Sequence, residues 1–481
     1  MVSKDIQWWI SFVGLGLILR FFSLFISVID HDDSTYLVIA QALTAGQLYW
    51  VDVFDTKPIG IFLIYGFFMK VLGLTGIVSF RILATLFIGS TSFFIFKIIL
   101  LKTHHTKAAF LGGLAFLLMN STFTFYGISP NTETYFTFFS ALAALIVLTG
   151  QWEGRYFIGG LLLGIGFVIK YVVLFDMVGL GLVVLLTVDA TLVQRMGKVI
   201  WMALGSILPF FGVAFWYWSL GHWDTFYFHS FEVSGRYPSS APIWEYPLHL
   251  IDFLGRFCII SFMAGIFFYR RIYNSLGWNI QFWLFLTWVS ALIPGKFFGH
   301  YFIQSMVPMS LMFGLVLAKE GTFLRSKFKG LYQTKTGIIV FVLWALIAII
   351  FQKLDYWDRP DDNKEVAAYL SGKMEAGDQI YTGNSSQIMY YLLDKKSPIP
   401  YVHPSLFWQS QHIEAMEIPV DQIIADLKQL EPEYIMMKPF SKKETVSHDR
   451  MVEWINEKYI KDTIIGEKDP IQIHQLKRVV N

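Results

Sequence analysis

The stretch Ile29–Gly60 reads IDHDDSTYLVIAQALTAGQLYWVDVFDTKPIG. It places Asp32, Asp33 and Asp55, followed by Lys57, between two of the most apolar segments of the chain. Carboxylates at the edge of a membrane are costly unless they are solvated or used in function. The stretch is therefore the candidate active site, and its apolar flanks predict a membrane fold around it.

The composition points to the same class of protein. Of the 481 residues, 55% are hydrophobic, only 15% are charged, and the mean hydropathy is +0.50. A soluble globular protein carries about 25% charged residues, so these values are typical of a polytopic membrane protein. The formal net charge of +2 carries little information, and nucleic acid is not an expected partner. The single cysteine, Cys258, excludes an intramolecular disulfide and a cysteine-based zinc site.

Apolar runs of membrane-spanning length recur along the chain. The first, Ile6–Ile29, is too long for a signal peptide and lacks a small-residue cleavage site, so it is expected to be retained as an anchor. A span needs about 17 to 25 residues, and roughly eleven spans are predicted in all. The others are near Phe80–Leu101, Ala108–Tyr126, Thr134–Leu148, Tyr156–Lys170, Val172–Val188, Val199–Leu220, Ile251–Tyr269, Trp278–Pro294, Tyr301–Ala318 and Thr336–Phe351.

Basic residues collect in alternate connections between these spans. They are Lys102, Lys107, Arg155, Arg195, Lys198, Arg270, Arg271, Lys319, Arg325, Lys327, Lys329 and Lys335. Under the positive-inside rule these connections are cytoplasmic. The loops that contain Asp32 and Asn131, the loop Gly221–Leu250 and the turn Gly295–His300 are then outside, and so is the C-terminal region.

The segment Pro58–Val78 is apolar enough to span, but a span here would move every later basic loop to the other side. We therefore interpret Pro58–Gly73 as a helix that lies at the outer interface or re-enters the membrane, with Arg81 at the start of the next span. The predicted first outer loop is 30–79, within a transmembrane catalytic domain that covers residues 1–352.

Residues 353–481 have the composition of a soluble domain. Helical patterns cover Asn363–Ala376, Gln387–Leu393 and Asp421–Leu430. Short strands are predicted at Gln379–Tyr381, Tyr434–Met437 and Ile471–Leu476. The expected fold class is thus an α-helical polytopic membrane protein with a small extracytoplasmic α/β domain at its C-terminal end.

Two readings remain open for the polar residues of the first loop. Asp32 and Asp33 precede a helical pattern and could simply cap it, but a pair of adjacent carboxylates can also hold a proton or a hard cation. Lys57 could be a lysine that extends its ammonium group from the membrane edge to water, or it could bind the phosphate of a lipid headgroup or sugar phosphate.

The first loop resembles the first extracytoplasmic loop of the GT-C glycosyltransferases. It is most similar to the protein O-mannosyltransferase and lipid A aminoarabinose transferase superfamily, which is the glycosyltransferase family 39 type. The resemblance is strongest over the first 140 residues or so and extends weakly to about residue 320. The residues that carry it are, in order, Asp32-Asp33-x-x-Tyr36, Lys57-Pro58 about twenty residues later, Gly73 at the end of an apolar helix, and Arg81.

The resemblance implies roles for these residues. Asp32 matches the first acid of the family's Asp-Glu pair and is the expected catalytic base, with Asp33 in place of the usual glutamate. Lys57 matches the lysine that contacts the carrier phosphate, and Arg81 is expected to assist it. Relatives often carry an acidic residue or histidine at the position of Thr56. Because threonine replaces that possible metal ligand, a metal is expected here only if the neighbouring Asp55 takes over as the ligand.

Later matches are looser. Glu133 matches a second acidic residue of the family, although a plain helix cap by Asn131 explains this loop equally well. Lys170 and His300 match residues that could contact the donor phosphate, yet a lysine at a helix end and a lone histidine are often structural. Tyr36, Asp55, Glu133 and Tyr301 are expected to bind substrate, and Asp33, Asp55 and His300 are the candidate ligands if a divalent cation is required.

The implied protein is an inverting hexosyl or pentosyl transferase of a cell envelope, mannosyltransferase-like, in a bacterial inner membrane. Its partners are a polyprenyl-phosphate-linked sugar donor, a lipid, glycan or protein acceptor, and the membrane lipids. The alternative is a transporter or flippase of lipid-linked glycans, which is also polytopic and aromatic-rich. Transporters commonly have internal repeats, and none is evident in this sequence.

Overall fold

The structure is a computed structural model that describes residues 4–236, 241–320, 334–439 and 446–477. These residues form two compact units, each assembled from three parts of the chain. The first consists of Met1–Phe25, Gly76–Trp216 and Ser239–Trp357. The second consists of Ile26–Thr75, Tyr217–Pro238 and Asp358–Asn481. The predicted domains are a membrane domain, 1–352, and an extracytoplasmic domain, 353–481. They are defined by their location relative to a membrane, and this division stays a prediction.

The first unit is a bundle of apolar α-helices. Small residues allow these helices to approach closely: the backbone oxygen of Met202 lies 1.9 Å from the position of a β-carbon added to Gly160. The helices are Lys4–Leu19, Ile77–Thr103, Thr106–Thr122, Thr132–Thr149, Arg155–Ile169, Leu174–Thr187, Leu192–Ser219, Glu245–Arg256, Cys258–Tyr269, Ile272–Leu276, Ile280–Leu292, Ile303–Lys319 and Thr334–Gln352.

Five helices of the described chain are long and apolar enough to cross a membrane, and a sixth crossing is possible through a bent pair. Four further apolar helices are shorter, at 10 to 17 residues. The predicted membrane-protein class is confirmed, whereas the count of roughly eleven spans stays a prediction. Arg325, Lys327 and Lys329, which contributed to the topology, lie outside the described residues.

The predicted first span, Ile6–Ile29, is wrong in its C-terminal half. The helix ends at Leu19 and a short 3₁₀ segment follows at Phe21–Leu24. The reason is Arg20, which is buried and donates hydrogen bonds of 2.6 to 2.8 Å to the carbonyl oxygens of Asn120, Gly127 and Ile128. A buried guanidinium needs such acceptors, so the chain turns where they are available.

The predicted span Ile251–Tyr269 is also corrected. The structure breaks it at Phe257 into Glu245–Arg256 and Cys258–Tyr269, with a bend of 104°. Arg256 Nε donates a 2.7 Å hydrogen bond to the carboxylate of Asp252 one turn earlier. This half-exposed ion pair makes the first helix amphipathic rather than uniformly apolar.

The second unit contains the remaining helices, which are His31–Thr44, Gly60–Leu72, Trp223–Tyr227, Val233–Gly235, Asp362–Ser371, Ile388–Leu392, Pro404–Trp408, Ser410–Ala415, Val420–Leu430 and Val446–Lys458. The predicted helix over Pro58–Gly73 is confirmed as Gly60–Leu72. It ends because Gly73 adopts a left-handed conformation with φ of +62°. One face is buried through Ile61, Phe62 and Tyr65, whereas Phe67 and Val71 are exposed.

Four strands form the sheet of the second unit: β1 Ile380–Thr382, β2 Tyr434–Met437, β3 Tyr459–Ile465 and β4 Ile471–Leu476. Their order is β1-β2-β4-β3, with β1 parallel to β2 and the other two pairs antiparallel. Three strands and the α/β character were predicted, and β3 was missed. The buried residues Ile435, Leu406 and Leu427 belong to the core beneath the sheet.

Candidate active site

The predicted acidic helix start is present in the second unit. The helix His31–Thr44 begins in the acidic cluster, and Asp33 is almost fully buried at 3% exposure. The N-cap residue is Asp30, and its side chain makes no capping hydrogen bond. Asp32 and Asp33 follow it in the first turn of the helix.

Lys57 lies between two of the predicted acids. Its Nζ is 2.8 Å from Asp32 Oδ1 and 3.4 Å from Asp55 Oδ2. Asp55 is 1% exposed, and its other oxygen accepts the backbone N–H of Thr56 at 2.6 Å. An ammonium group in contact with two carboxylates is not simply extended into water, so the snorkelling interpretation of Lys57 does not fit the structure.

Aromatic residues shape the loop that carries this ion pair. The Tyr49 hydroxyl and the Trp50 indole N–H both donate to the backbone oxygen of Asp55, at 2.9 and 3.2 Å. The Tyr36 ring is fully buried, and Lys57 Nζ lies 5.5 Å from its centroid. The predicted residue Tyr36 therefore lies with Asp32, Asp55 and Lys57 in one cluster.

His403 also reaches this cluster and was missed from the sequence. Its Nε2 is 3.4 Å from the same oxygen of Asp32 that Lys57 contacts. A second residue of the C-terminal region, Gln387, donates from Nε2 to the backbone oxygen of His31 at 2.8 Å and to Thr35 Oγ1 at 3.1 Å. The start of the acidic helix is thus held by residues more than 350 positions away in the chain.

A second group of predicted residues comes together in the first unit. Glu133, 1% exposed, accepts a hydrogen bond from Lys170, and Lys170 Nζ lies 4.2 Å from the centroid of the Tyr301 ring. The His300 ring packs edge-on against Tyr301, with centroids 4.8 Å apart. Asn131 is the N-cap of the following helix, but its side chain makes no capping hydrogen bond.

Arg81 has different surroundings within the first unit. It is 3% exposed, and its Nη1 lies 3.3 Å from the backbone oxygen of Ser23, to which it donates. It lies within the helix Ile77–Thr103 rather than at the start, which was predicted at Arg81. Its predicted contact with the donor phosphate stays a prediction.

Asp176 is a buried acid that sequence reasoning did not select. Its two oxygens accept hydrogen bonds of 2.7 Å from Ser140 Oγ and Trp283 Nε1. An acid within an apolar run, here FDMVGLGLVVLL, was the available signal. These neutral donors satisfy the carboxylate inside the bundle, so a structural role accounts for it.

The candidate metal ligands do not form a metal-binding group in the described chain. Among its described residues there is no cluster of three or more His, Cys, Asp or Glu side chains suited to an ion. Asp55 is already engaged by the ammonium of Lys57. No step of the chemistry below is therefore assigned to a metal.

His229 gives the second unit a testable pH dependence. Its ring is 7% exposed, stacks on Trp50 at 5.4 Å, and has no hydrogen-bond partner for Nδ1 among the described residues. Burial lowers the pKa of His229 from 6.5 to about 4. The unfolded chain therefore binds a proton below pH 6.5 that the folded protein does not, which costs about 3 kcal/mol of stability by pH 4.

We expect the thermal midpoint of the wild-type protein to fall as the pH is lowered from 6.5 towards 4. The fall should be smaller in His229→Phe, which has no imidazole to protonate. Phenylalanine is chosen because its ring can keep the stack on Trp50. His222→Phe, which changes a histidine seven residues earlier in the chain, serves as the control. Equal pH slopes for the wild-type protein and His229→Phe would contradict the assignment.

No protein-family model matches the chain, and no curated protein matches it by sequence. Its fold is similar to the crystal structure of ArnT from Cupriavidus metallidurans bound to undecaprenyl phosphate, with a TM-score of 0.66 and 14% identity over 97% of this chain and 98% of that one. The apo structure of the same ArnT gives a TM-score of 0.63 and 15% identity, with 98% of both chains covered.

A third similar structure is the archaeal oligosaccharyltransferase AglB from Archaeoglobus fulgidus in complex with an inhibitory peptide and a dolichol-phosphate. Its TM-score is 0.50 at 9% identity, covering 91% of this chain and 70% of that one. These similarities show that the chain is an integral membrane protein with the GT-C fold, as its sequence predicted.

Proposed function

We propose that the protein is an inverting glycosyltransferase that moves a sugar from a polyprenyl-phosphate donor to an acceptor on the extracytoplasmic face. The observation that carries the proposal is the contact of Lys57 with Asp32 and Asp55 in the second unit. It brings a candidate base and a candidate phosphate-binding cation together in the part of the chain that resembles the GT-C enzymes. The fold shared with ArnT bound to undecaprenyl phosphate supports the same class of donor.

The chemistry is a direct displacement at the anomeric carbon. Asp32 accepts the proton of the acceptor hydroxyl as its oxygen forms the new bond to the sugar. The bond between the anomeric carbon and the phosphate oxygen breaks, and the electron pair leaves with polyprenyl phosphate. Lys57 stabilises the negative charge that grows on this leaving group.

The ion pair suggests how the base is kept inactive before the donor binds. While Lys57 contacts Asp32 Oδ1 at 2.8 Å, the ammonium occupies the oxygen that would otherwise face the acceptor hydroxyl. A donor phosphate competes for the ammonium and shifts it from Asp32. Binding of the donor then activates the base, so the acceptor hydroxyl loses its proton only when a sugar donor is present.

The other predicted residues keep their proposed roles. Lys170, Arg81 and His300 are candidates for the donor phosphate, and Glu133 and Tyr301 for substrate. The contact between Lys170 and the buried Glu133 supports a role that needs a fixed cation, because a paired lysine has a defined position. A hexosyl or pentosyl donor, and a lipid, glycan or protein acceptor, all remain compatible with these residues.

The extracytoplasmic location of the C-terminal region is open to a direct test. We expect a reporter that is active only in the cytoplasm to be silent when fused after Asn481, because the basic loops place that end outside. The same reporter fused after Lys107, in a predicted cytoplasmic loop, should be active. Activity at Asn481 would reverse the topology and move the candidate site away from the proposed side.

The function itself is tested with the purified full-length protein and a panel of polyprenyl-phosphate sugars. Release of polyprenyl phosphate together with a glycosylated acceptor is the expected result. Movement of intact donor across a vesicle membrane without its cleavage would instead support the flippase alternative. Absence of cleavage across the whole panel would overturn the proposal.

A further inference from the structure

The C-terminal region delivers His403 to Asp32 through a defined contact with the first loop. Phe54 N donates a 2.9 Å hydrogen bond to the backbone oxygen of Pro400, and the rings of Phe54 and Tyr401 stack at 5.1 Å. Phe54 and Tyr401 also form a parallel β-bridge. His403 follows this bridge by two residues, so its backbone position is fixed relative to the loop that carries Lys57.

The hydrogen bonds of the His403 ring determine which nitrogen carries the proton. His403 is the N-cap of the helix Pro404–Trp408, and its Nδ1 accepts the backbone N–H of Ser405 at 3.2 Å. A backbone N–H can only donate, so Nδ1 is unprotonated and the neutral ring carries its proton on Nε2. Nε2 is the nitrogen that lies 3.4 Å from Asp32 Oδ1.

We propose that His403 is a positioning residue for the base Asp32, an inference that rests on the proposed function. A contact of 3.4 Å is longer than a well-formed hydrogen bond, and catalytic contacts often tighten only when substrate binds. When the donor phosphate draws Lys57 away, the N–H of His403 keeps its contact with Asp32 Oδ1 and holds the carboxylate towards the acceptor.

Two substitutions separate this role from helix capping. His403→Asn keeps a strong N-cap side chain but is too short to reach Asp32. His403→Gln is a poor cap, but its amide N–H can extend to the place of Nε2. Positioning therefore predicts that the glutamine variant is active and the asparagine variant is impaired, whereas capping alone predicts the reverse.

We expect kcat of His403→Asn to fall by about 10- to 100-fold, the usual effect of a misplaced catalytic group, with little change in KM for the donor. His403→Gln should recover most of the loss. His474→Asn changes a mostly buried histidine of β4 and should leave kcat unchanged. Equal activity of the asparagine variant and the wild-type protein, or a loss only in the glutamine variant, would overturn the proposal.

A measurement without turnover distinguishes this proposal from the proposed function. A double-mutant cycle of Asp32→Asn and His403→Asn is followed by thermal unfolding of the full-length protein. We expect the two shifts in midpoint to be non-additive, because the residues touch. Additive shifts overturn the contact even if the protein is a transferase. Non-additive shifts support the contact between His403 and Asp32 even if the protein cleaves none of the donors in the panel.

Discussion

Turnover of Asp32→Asn is expected to fall by two or more orders of magnitude relative to the wild-type protein. Asparagine keeps the size and much of the hydrogen bonding of aspartate but cannot accept the acceptor's proton, and a general base contributes about 10²- to 10⁴-fold. Asp32 is only partly buried, at 17% side-chain exposure, and Lys57 keeps its contact with Asp55 in this variant. The fold should therefore be retained, as judged by the thermal midpoint.

Asp52→Asn is the matched control for this change. Asp52 lies in the same loop, but its carboxylate accepts the backbone N–H of Leu48 at 2.7 Å and so stabilises a turn. Release of polyprenyl phosphate should be nearly unchanged in this variant. Full activity in Asp32→Asn would transfer the role of base to Asp33 or discard the motif.

A large loss of turnover is also expected for Lys57→Met, because the charge on the leaving phosphate would lose its cation. Here stability has to be measured as well. Asp55 is 1% exposed, and a buried carboxylate that loses its counter-charge destabilises a protein by about 3 to 5 kcal/mol. The double variant Lys57→Met/Asp55→Asn removes that unpaired charge, so it should regain stability but not activity.

Two further variants complete the comparison. Lys57→Arg keeps the charge but has a wider, planar group, and a tight phosphate site need not accept it. Lys70→Met changes an exposed lysine in the last turn of the helix Gly60–Leu72 and should leave turnover unchanged. If Lys57→Met and Lys70→Met lose activity equally, or if neither does, Lys57 does not bind the donor phosphate.

Features encoded locally could be predicted from the sequence. Two helices and two strands depend on nearby residues. The helix that begins at His31 follows an apolar periodicity, and the next helix ends before a left-handed glycine at 73. Strand β2 is a short apolar run, and β4 begins with alternating apolar and polar residues. The association of Lys57 with Asp55 is also local, because only two residues separate them.

What the sequence did not reveal depends on distant contacts. Arg20 ends its helix because three carbonyl oxygens about 100 residues away accept its guanidinium. A charged residue inside the apolar run was a visible signal for that break. His403 carried no comparable signal, because its approach to Asp32 depends on a β-bridge between residues 54 and 401. Spacing along one chain contains no information about such pairing.

The contact between Gln387 and His31 has a consequence for biosynthesis. Gln387, which holds the start of the acidic helix, is made 356 residues after His31. At about 5 to 20 residues per second, a ribosome needs roughly 20 to 70 s to cover that distance. During this time the nascent chain already carries its acidic loop but lacks the residues that hold it. A prematurely terminated chain therefore lacks the contacts that hold the start of the acidic helix.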